Sequence, residues 1–541
     1  MNPKIITFLL GMSMFFTGAA GLVNEYVLSA VSTYILGNSI EQFSITIALM
    51  LGFMGLGGWV QKFVNDDNLV EKFLILEVIL AILGGFSPLA IYSGFAFFET
   101  HFALIQYFFI ISIGFLIGFE IPFIVRINEK FSQSLKENLS LVMGADYLGS
   151  LVGAFVWIYF LLPFLPLTKI SFLISGVNLI VALITFTYIK KDYIKSISTA
   201  TFVGGLLIFG YIASASITNV LENKLYQDPV VSSQKTKYQQ IVITKNKSLN
   251  EYRLYINGNV QFSSLDERIY HEELVHPIMS LKEGPKDVLI LGGGDGIAIR
   301  EVKKHTDVKS ITLIDLDPGM IQLAKTNPIL KKINENSFKN VNIIDPNTFV
   351  SSGGIKDVYV SGKEAGFVNV INIDADKLLH QLKDKLWDVI IIDFPDPSSI
   401  ELAKLYSKEF YMKLKRVLRP GGMFVIQSTS PYHAKESFLC IGRTIEAAGF
   451  NVIPYHDNVP SFGDWGWYIA WDKEDPSHND IYTKINELDE FKVDTTYLTP
   501  NVFRSALVFG KNSLKSDLIA VNTLMYPKLL DIYTTNSWLV Y

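Results

Sequence analysis

The first 217 residues or so carry seven apolar runs, near 5–24, 42–61, 70–94, 102–125, 141–163, 167–189 and 197–217. Each approaches the roughly 20 residues that a helix needs to cross about 30 Å of hydrocarbon. Hydrocarbon cannot satisfy an open backbone, so runs of this kind confine that half of the chain to packed helices. A cleavable signal peptide is a poor reading of the first run, because others follow at once and no cleavage site stands out. The 49% hydrophobic content and mean hydropathy of +0.30 are concentrated here, and beyond about residue 221 the composition is that of an ordinary globular protein. At 541 residues the chain exceeds a single core. The expectation is a multi-span helical domain of about 7 helices over 1–220, a small β-strand domain over 221–280 and an α/β domain over 281–541.

Ionisable residues inside the apolar runs are functional candidates by default, since each is costly in hydrocarbon unless paired or wetted. They are Glu25, Glu77, Glu120 in "GFEIPF" and Asp146 in "GADYLGSLVGA". The bland reading places Glu25 and Glu77 near helix ends or in hydrogen bonds to neighbouring helices. Gly149, Gly153 and Ala154 follow the small-residue pattern of close helix packing. The basic loops 126–136 and 190–195 would lie in the cytosol by the positive-inside rule, and with seven spans the globular half would then lie outside. "AVSTYILG", 30–37, is a candidate extra short or re-entrant segment that restores an even count.

In the second half, strands are expected near 238–245 and 252–257, followed by a strand and helix alternation through "VLILG", "SITLID", "VNVINID" and "WDVIIID". Such alternation implies a Rossmann-like parallel sheet with helices on both faces, and ligands bind beyond the carboxyl ends of its strands. Those ends carry acids: Asp295 in the glycine turn, Asp315 and Asp317, Asp374 and Asp376, then Asp393 and Asp396. Asp315 follows the turn at the spacing where a carboxylate takes ribose hydroxyls. Asp317, ahead of Pro318, reads better as a helix cap.

Gly292, Gly294 and Gly296 fit the looser GxGxG of S-adenosylmethionine-type folds, Ile297 standing where a dinucleotide fingerprint has its last glycine. Few basic residues besides Arg300 lie near these motifs, so the crevice expects a cationic ligand. No metal is expected, because the histidines are not at ligand spacing. The single Cys440 excludes an intrachain disulfide and reads as a buried hydrophobe, and a net charge of -5 gives no basic excess for nucleic acid.

"YQQIVIT", "LYINGNVQFSSLDERIYHEELVHP", "LGGGDGIAIREV", "LIDLDPGM", "DVIIIDFPDP" and "LYSKEFYMKLKRVLRPGG", in this order, resemble the polyamine aminopropyltransferases, the spermidine synthases. The hydrophobic half resembles the membrane-bound bacterial branch. The resemblance implies transfer of an aminopropyl group from decarboxylated S-adenosylmethionine, a co-substrate rather than a resident cofactor, to putrescine, giving spermidine and methylthioadenosine. It implies a multi-pass protein of the cell membrane with its catalytic domain in the cytoplasm, partnered by the bilayer, and leaves a homo-oligomer open. Gln239 would hold the nucleoside, with Gly292 and Gly294 forming the cofactor turn. Tyr270, His271 and Asp295 would line the diamine and aminopropyl side, and Asp315 would bind the ribose. Asp374 and Ala375 would meet the adenine edge, Asp393 would accept the proton, and Asp396 would anchor an ammonium. Trp465 and Trp467 would wall the diamine channel, whereas taken alone they read as core, as does His271.

The chain departs from the soluble family at Asn257, where an Asp is usual, at Asp315 in place of Glu, and at Ile400 in place of a proline. Residues 346–367 look like an insertion forming a surface loop or hairpin. The rival readings are a methyltransferase using S-adenosylmethionine and a transporter or sensor that binds polyamine without turnover.

Overall fold

The computed structural model describes residues 3–36, 39–98, 101–132, 134–351, 367–382 and 386–537, and the chain separates into two compact units, 1–227 and 228–541. Among the described residues, the first unit holds seven helices long and apolar enough to cross a membrane, by length and composition: Pro3–Leu36, Glu41–Phe63, Leu69–Phe97, Phe102–Asn128, Leu135–Leu161, Leu167–Lys190 and Tyr193–Leu225. Residues 30–36 continue the first helix instead of forming a separate short segment, because Ser32 Oγ and Thr33 Oγ1 bond back to the carbonyls one turn earlier and Val31 is buried in the bundle; Gly37 lies outside the described residues. The glycine pattern acts as expected. A Cβ on Gly149 would overlap the Phe15 carbonyl, and one on Gly153 would sit 2.7 Å from the Ala19 carbonyl oxygen, so these two helices touch backbone to backbone. Glu25 and Glu77 lie well inside their helices rather than at the ends, and Glu77 and Glu120 are buried.

The second unit opens with an antiparallel meander of β1 (Val230–Lys235), β2 (Gln240–Asn246), β3 (Glu251–Ile256) and β4 (Asn259–Ser263). Its β3–β4 hairpin turns on Asn257 and Gly258, with φ of 50° and 84°, the pair of left-handed residues that a two-residue hairpin demands. Asn257 Oδ1 also accepts the Gln240 amide at 2.9 Å, so this departure from the family pattern is a turn residue.

An eight-stranded sheet follows: β5 (Lys286–Gly292), β6 (Val308–Asp315), β7 (Asn342–Ile343), β8 (Phe367–Asn372), β9 (Trp387–Asp393), β10 (Leu418–Gln427), β11 (Phe450–Val459) and β12 (Gly463–Asp472), in the order β11-β12-β10-β9-β5-β6-β8-β7. The six strands from β7 to β10 are parallel, as the alternation predicts. The β11–β12 hairpin adds an antiparallel edge to the expected parallel sheet. A short turn at Gly463, with φ of 82°, lets the two strands pair directly without a crossover helix. The central strands are buried on both faces, which is why they read as unbroken Ile and Val runs. Of the suspected insertion, Pro346–Ser351 is helical and 352–366 lie outside the described residues.

Candidate active site

Parallel register gathers the acids. Gly292 on β5 pairs with Asp393 on β9, Leu291 with Ile314 on β6, and Asp315 with Asn372 on β8. The ends of four neighbouring strands therefore present, side by side, Asp374, Asp315, the glycine loop with Asp295, and Asp393 with Asp396. The loop lies tight on this row. Gly292 and Gly293 have φ of 81° and 67°; a Cβ on Gly292 would overlap the Asp393 carbonyl, and one on Gly294 would sit 2.6 Å from Asp315 Oδ2.

Asp393 accepts a 2.7 Å hydrogen bond from the Tyr270 hydroxyl. Burial raises its carboxyl above the usual range, opposed by the His271 charge and the Tyr270 hydrogen bond. Asp295 caps its own turn through the Ile297 amide at 2.9 Å and is raised to about 6, by burial and then by Asp393, against the pull of His271. Asp315 accepts the Asp317 amide at 2.8 Å and is raised to about 7, chiefly by burial. Asp396 meets Gln427 Nε2 at 3.3 Å and the Tyr533 hydroxyl at 2.8 Å, and burial raises it to about 6.

Tyr270 and His271 reach the crevice from the helix Glu267–Leu281, whose start is tied to the β11–β12 turn by Asp266, which accepts the Ser461 amide at 2.6 Å. His271 is 2% exposed, and its Nδ1 donates to the Glu267 carbonyl at 2.7 Å, with Glu267 Oε2 3.3 Å away. Burial alone would lower its pKa, but Glu267 and then Asp295 and Asp393 outweigh it and raise it to about 9. His271 is thus buried among acids that favour its charged form. Arg300 grips Glu267 with two 2.8 Å hydrogen bonds and Glu301 with one of 2.6 Å, so this basic residue serves the helix and not the crevice.

Two expectations are corrected. Asp374 does not lack a basic partner: Lys404 meets it at 2.6 Å and holds it below the usual range against its burial, while Lys413 pairs with Asp376 at 2.5 Å. Both lysines come from the helical stretch after β9, some 30 residues away in sequence, where local reading could not connect them. Trp467 is fully buried, stacked on Tyr455 at 5.4 Å and lying 5.7 Å from Tyr270; it backs the Tyr270 ring and does not wall a channel. Trp465, 7% exposed, packs on Phe462 at 4.9 Å.

The remaining residues fall around the same row. Asp374 caps the helix Ala375–Gln381, which Ala375 begins. Asp317 is the cap that its sequence suggests, accepting the Gly319 amide at 2.9 Å, and its other oxygen accepts Thr236 Oγ1 at 2.7 Å. Thr236 in turn bonds to Gln239 through its amide at 2.9 Å, which ties the Gln239 loop of the small sheet to the end of β6. Sequence reading missed Gln427, Tyr406 and Tyr533. Gln427 and Tyr406 stand beside Asp396 and share a 2.7 Å hydrogen bond; the end of β10 was the signal that could have found Gln427, and Tyr406 and Tyr533 lie on helical turns away from any strand end.

Comparison with known proteins finds a family model described as "Spermine/spermidine synthase domain" matching residues 267–482. The polyamine aminopropyltransferase of Leptospira interrogans is 39% identical over 462 residues, 85% of this chain and 86% of that one. The polyamine aminopropyltransferase of Oceanobacillus iheyensis is 36% identical over 521 residues, 95% and 94% of the two chains. A solved structure of a spermidine synthase in complex with the transition-state analogue AdoDATO aligns at a TM-score of 0.42 with 25% identity, covering 53% of this chain and 88% of that one.

Proposed function

The chain belongs to the polyamine aminopropyltransferases and performs aminopropyl transfer, and from that premise we propose that it moves the aminopropyl group of decarboxylated S-adenosylmethionine to putrescine with Asp393 as the proton acceptor. The amine lone pair attacks the carbon next to the sulfonium. The new C–N bond forms as the C–S bond breaks, methylthioadenosine leaves as a neutral thioether, and the proton shed by the amine passes to Asp393. The observation that carries this reading is the row of acids at four adjacent strand ends with Tyr270 bonded to Asp393.

An amine near pKa 10 facing a carboxylate near 4 leaves proton transfer about six units uphill, roughly 8 kcal/mol. Burial closes part of that gap from the acid's side by raising Asp393, and the sulfonium charge closes part from the amine's side. Positioning the attacking nitrogen supplies a further large share. In this reading Asp315 takes the ribose hydroxyls, and Gln239, Gly292 and Gly294 cradle the nucleoside. Asp374 and Ala375 face the adenine, with Lys404 fixing the Asp374 carboxylate. Asp295, Tyr270 and His271 flank the aminopropyl arm, and Asp396 receives the far ammonium of the diamine.

The division into a multi-span domain over 1–220, a small β domain over 221–280 and a catalytic domain over 281–541 belongs to the same reading. So does the placing of the seven helices in the cell membrane with the catalytic domain in the cytoplasm, where the donor is made. Product analysis with decarboxylated S-adenosylmethionine and a panel of amines tests the chemistry: spermidine and methylthioadenosine in equal amounts are expected, and consumption of S-adenosylmethionine with the decarboxylated form untouched would sink it. Protease treatment of intact cells tests the placement, cleavage within 228–541 counting against a cytoplasmic domain.

A further inference from the structure

Beyond residue 482, where the family match ends, the chain stays on the catalytic unit. Its last stretch runs back over the helices Lys408–Val417 and Lys435–Ala447 and is tied down along the way. The Lys408 amide donates to the Asn522 carbonyl at 2.9 Å, and Asn522 Nδ2 donates to the Ala403 carbonyl at 2.8 Å. The final helix, Lys528–Asn536, then buries Leu529 and Ile532 in the apolar cluster that contains Tyr406 and Phe410. This anchoring delivers one polar group to the crevice: the Tyr533 hydroxyl, donating to Asp396 Oδ2 at 2.8 Å, on the oxygen opposite the one that Gln427 reaches.

A carboxylate held by two neutral donors, with Thr429 also favouring its charged form, keeps a fixed plane and retains lone pairs for a cation. We infer that Tyr533 is a positioning residue for acceptor selection: its hydrogen bond holds Asp396 ready for the distal ammonium, so that amines bearing a second positive charge are preferred over those without one. The inference rests on the placing of Asp396 at the far end of the acceptor. The hydrogen bond also opposes the burial that raises Asp396 to about 6, so losing it makes the acid more easily neutralised.

The test uses the full-length protein with putrescine and with 1-aminobutane, an acceptor with the same four-carbon chain that lacks the second ammonium. Tyr533→Phe keeps the ring and removes the donor. It is expected to lower kcat/KM for putrescine about tenfold at neutral pH, mainly through KM, and to leave 1-aminobutane and the donor KM unchanged, so the preference for putrescine narrows. The loss should shrink at alkaline pH, where Asp396 is ionised in either protein. Equal losses for the two amines, or no loss for putrescine, would overturn the inference. Asp396→Asn separates it from its premise. If that variant keeps the wild-type preference, the placing of Asp396 fails; if it abolishes the preference while Tyr533→Phe does not narrow it, only the role of Tyr533 fails.

Discussion

The Tyr270 hydroxyl and the Asp393 carboxylate are joined at 2.7 Å across 123 residues of sequence, so the acid assigned to the proton is oriented before any substrate arrives. Asp393→Asn should therefore cut kcat by about 10² to 10⁴ while the donor still binds, as general-base loss typically does. Tyr270→Phe should cost less, about tenfold, and shift the acid limb of the pH profile upward, because the phenol holds the Asp393 pKa down. Methylthioadenosine release measures both, and wild-type turnover by Asp393→Asn would remove this residue from its role.

Four crevice acids are easier to protonate than free carboxylates: Asp315 at about 7, Asp295 and Asp396 at about 6, and Asp393, which burial also raises. A raised acid is neutral below its pKa and charged above it, so the empty site gains its affinity for cations as pH climbs through 6 to 7. Donor kcat/KM should rise through that window and level off above it. Donor binding near pH 6.5 should release protons, seen by calorimetry in buffers of different ionisation enthalpy, and release should fade by pH 8.5. A flat profile from pH 5.5 to 8.5 contradicts this.

Asp295 flanks the position assigned to the aminopropyl arm, where S-adenosylmethionine would carry a carboxylate. On the proposed reading, repulsion there would reject the commoner molecule. Asp295→Asn should narrow the preference for the decarboxylated donor by about tenfold or more, measured by competition binding. An unchanged ratio assigns the selection elsewhere.

Asp317 does structural work at both of its oxygens, capping a helix and accepting Thr236 from the small sheet. Asp317→Ala should lower stability by about 1 to 3 kcal/mol, a cap and a buried hydrogen bond together. The melting temperature should fall while the KM for the acceptor amine stays within about threefold.

Much of the catalytic unit could be read locally. The strands that end at Asp315 and Asp393 are rich in Ile, Leu and Val, and the acids follow these at once, so both the sheet and its crowded edge were written in contiguous residues. Asp317 was legible as a cap because the signal lies in the next residue, Pro318. What escaped reading depends on contacts made across the fold. Lys404 neutralises Asp374 from a helix beyond the next strand. Trp467 packs 5.7 Å behind the ring of Tyr270, which comes from a distant helix, and Tyr533 reaches Asp396 from 137 residues away. The β11–β12 edge escaped for another reason: a strand pattern reveals extension but not direction, which the turn at Gly463 decides.

The pairing of Gly292 with Asp393 makes the backbone itself the alignment jig of the chemistry. Were β9 to slip one residue along β5, Ile392 would stand opposite Gly292 and Asp393 would move about 3.3 Å and turn to the other face of the sheet. The isoleucines at 390–392 would only exchange for one another in such a slip; the register is fixed at the start of the strand, by the fully buried Trp387 and by Asp388, whose Oδ2 accepts the Asp287 amide of β5 at 2.9 Å. Residues at the far end of the strand, which never meet a substrate, thus carry the dimensional tolerance of the reaction.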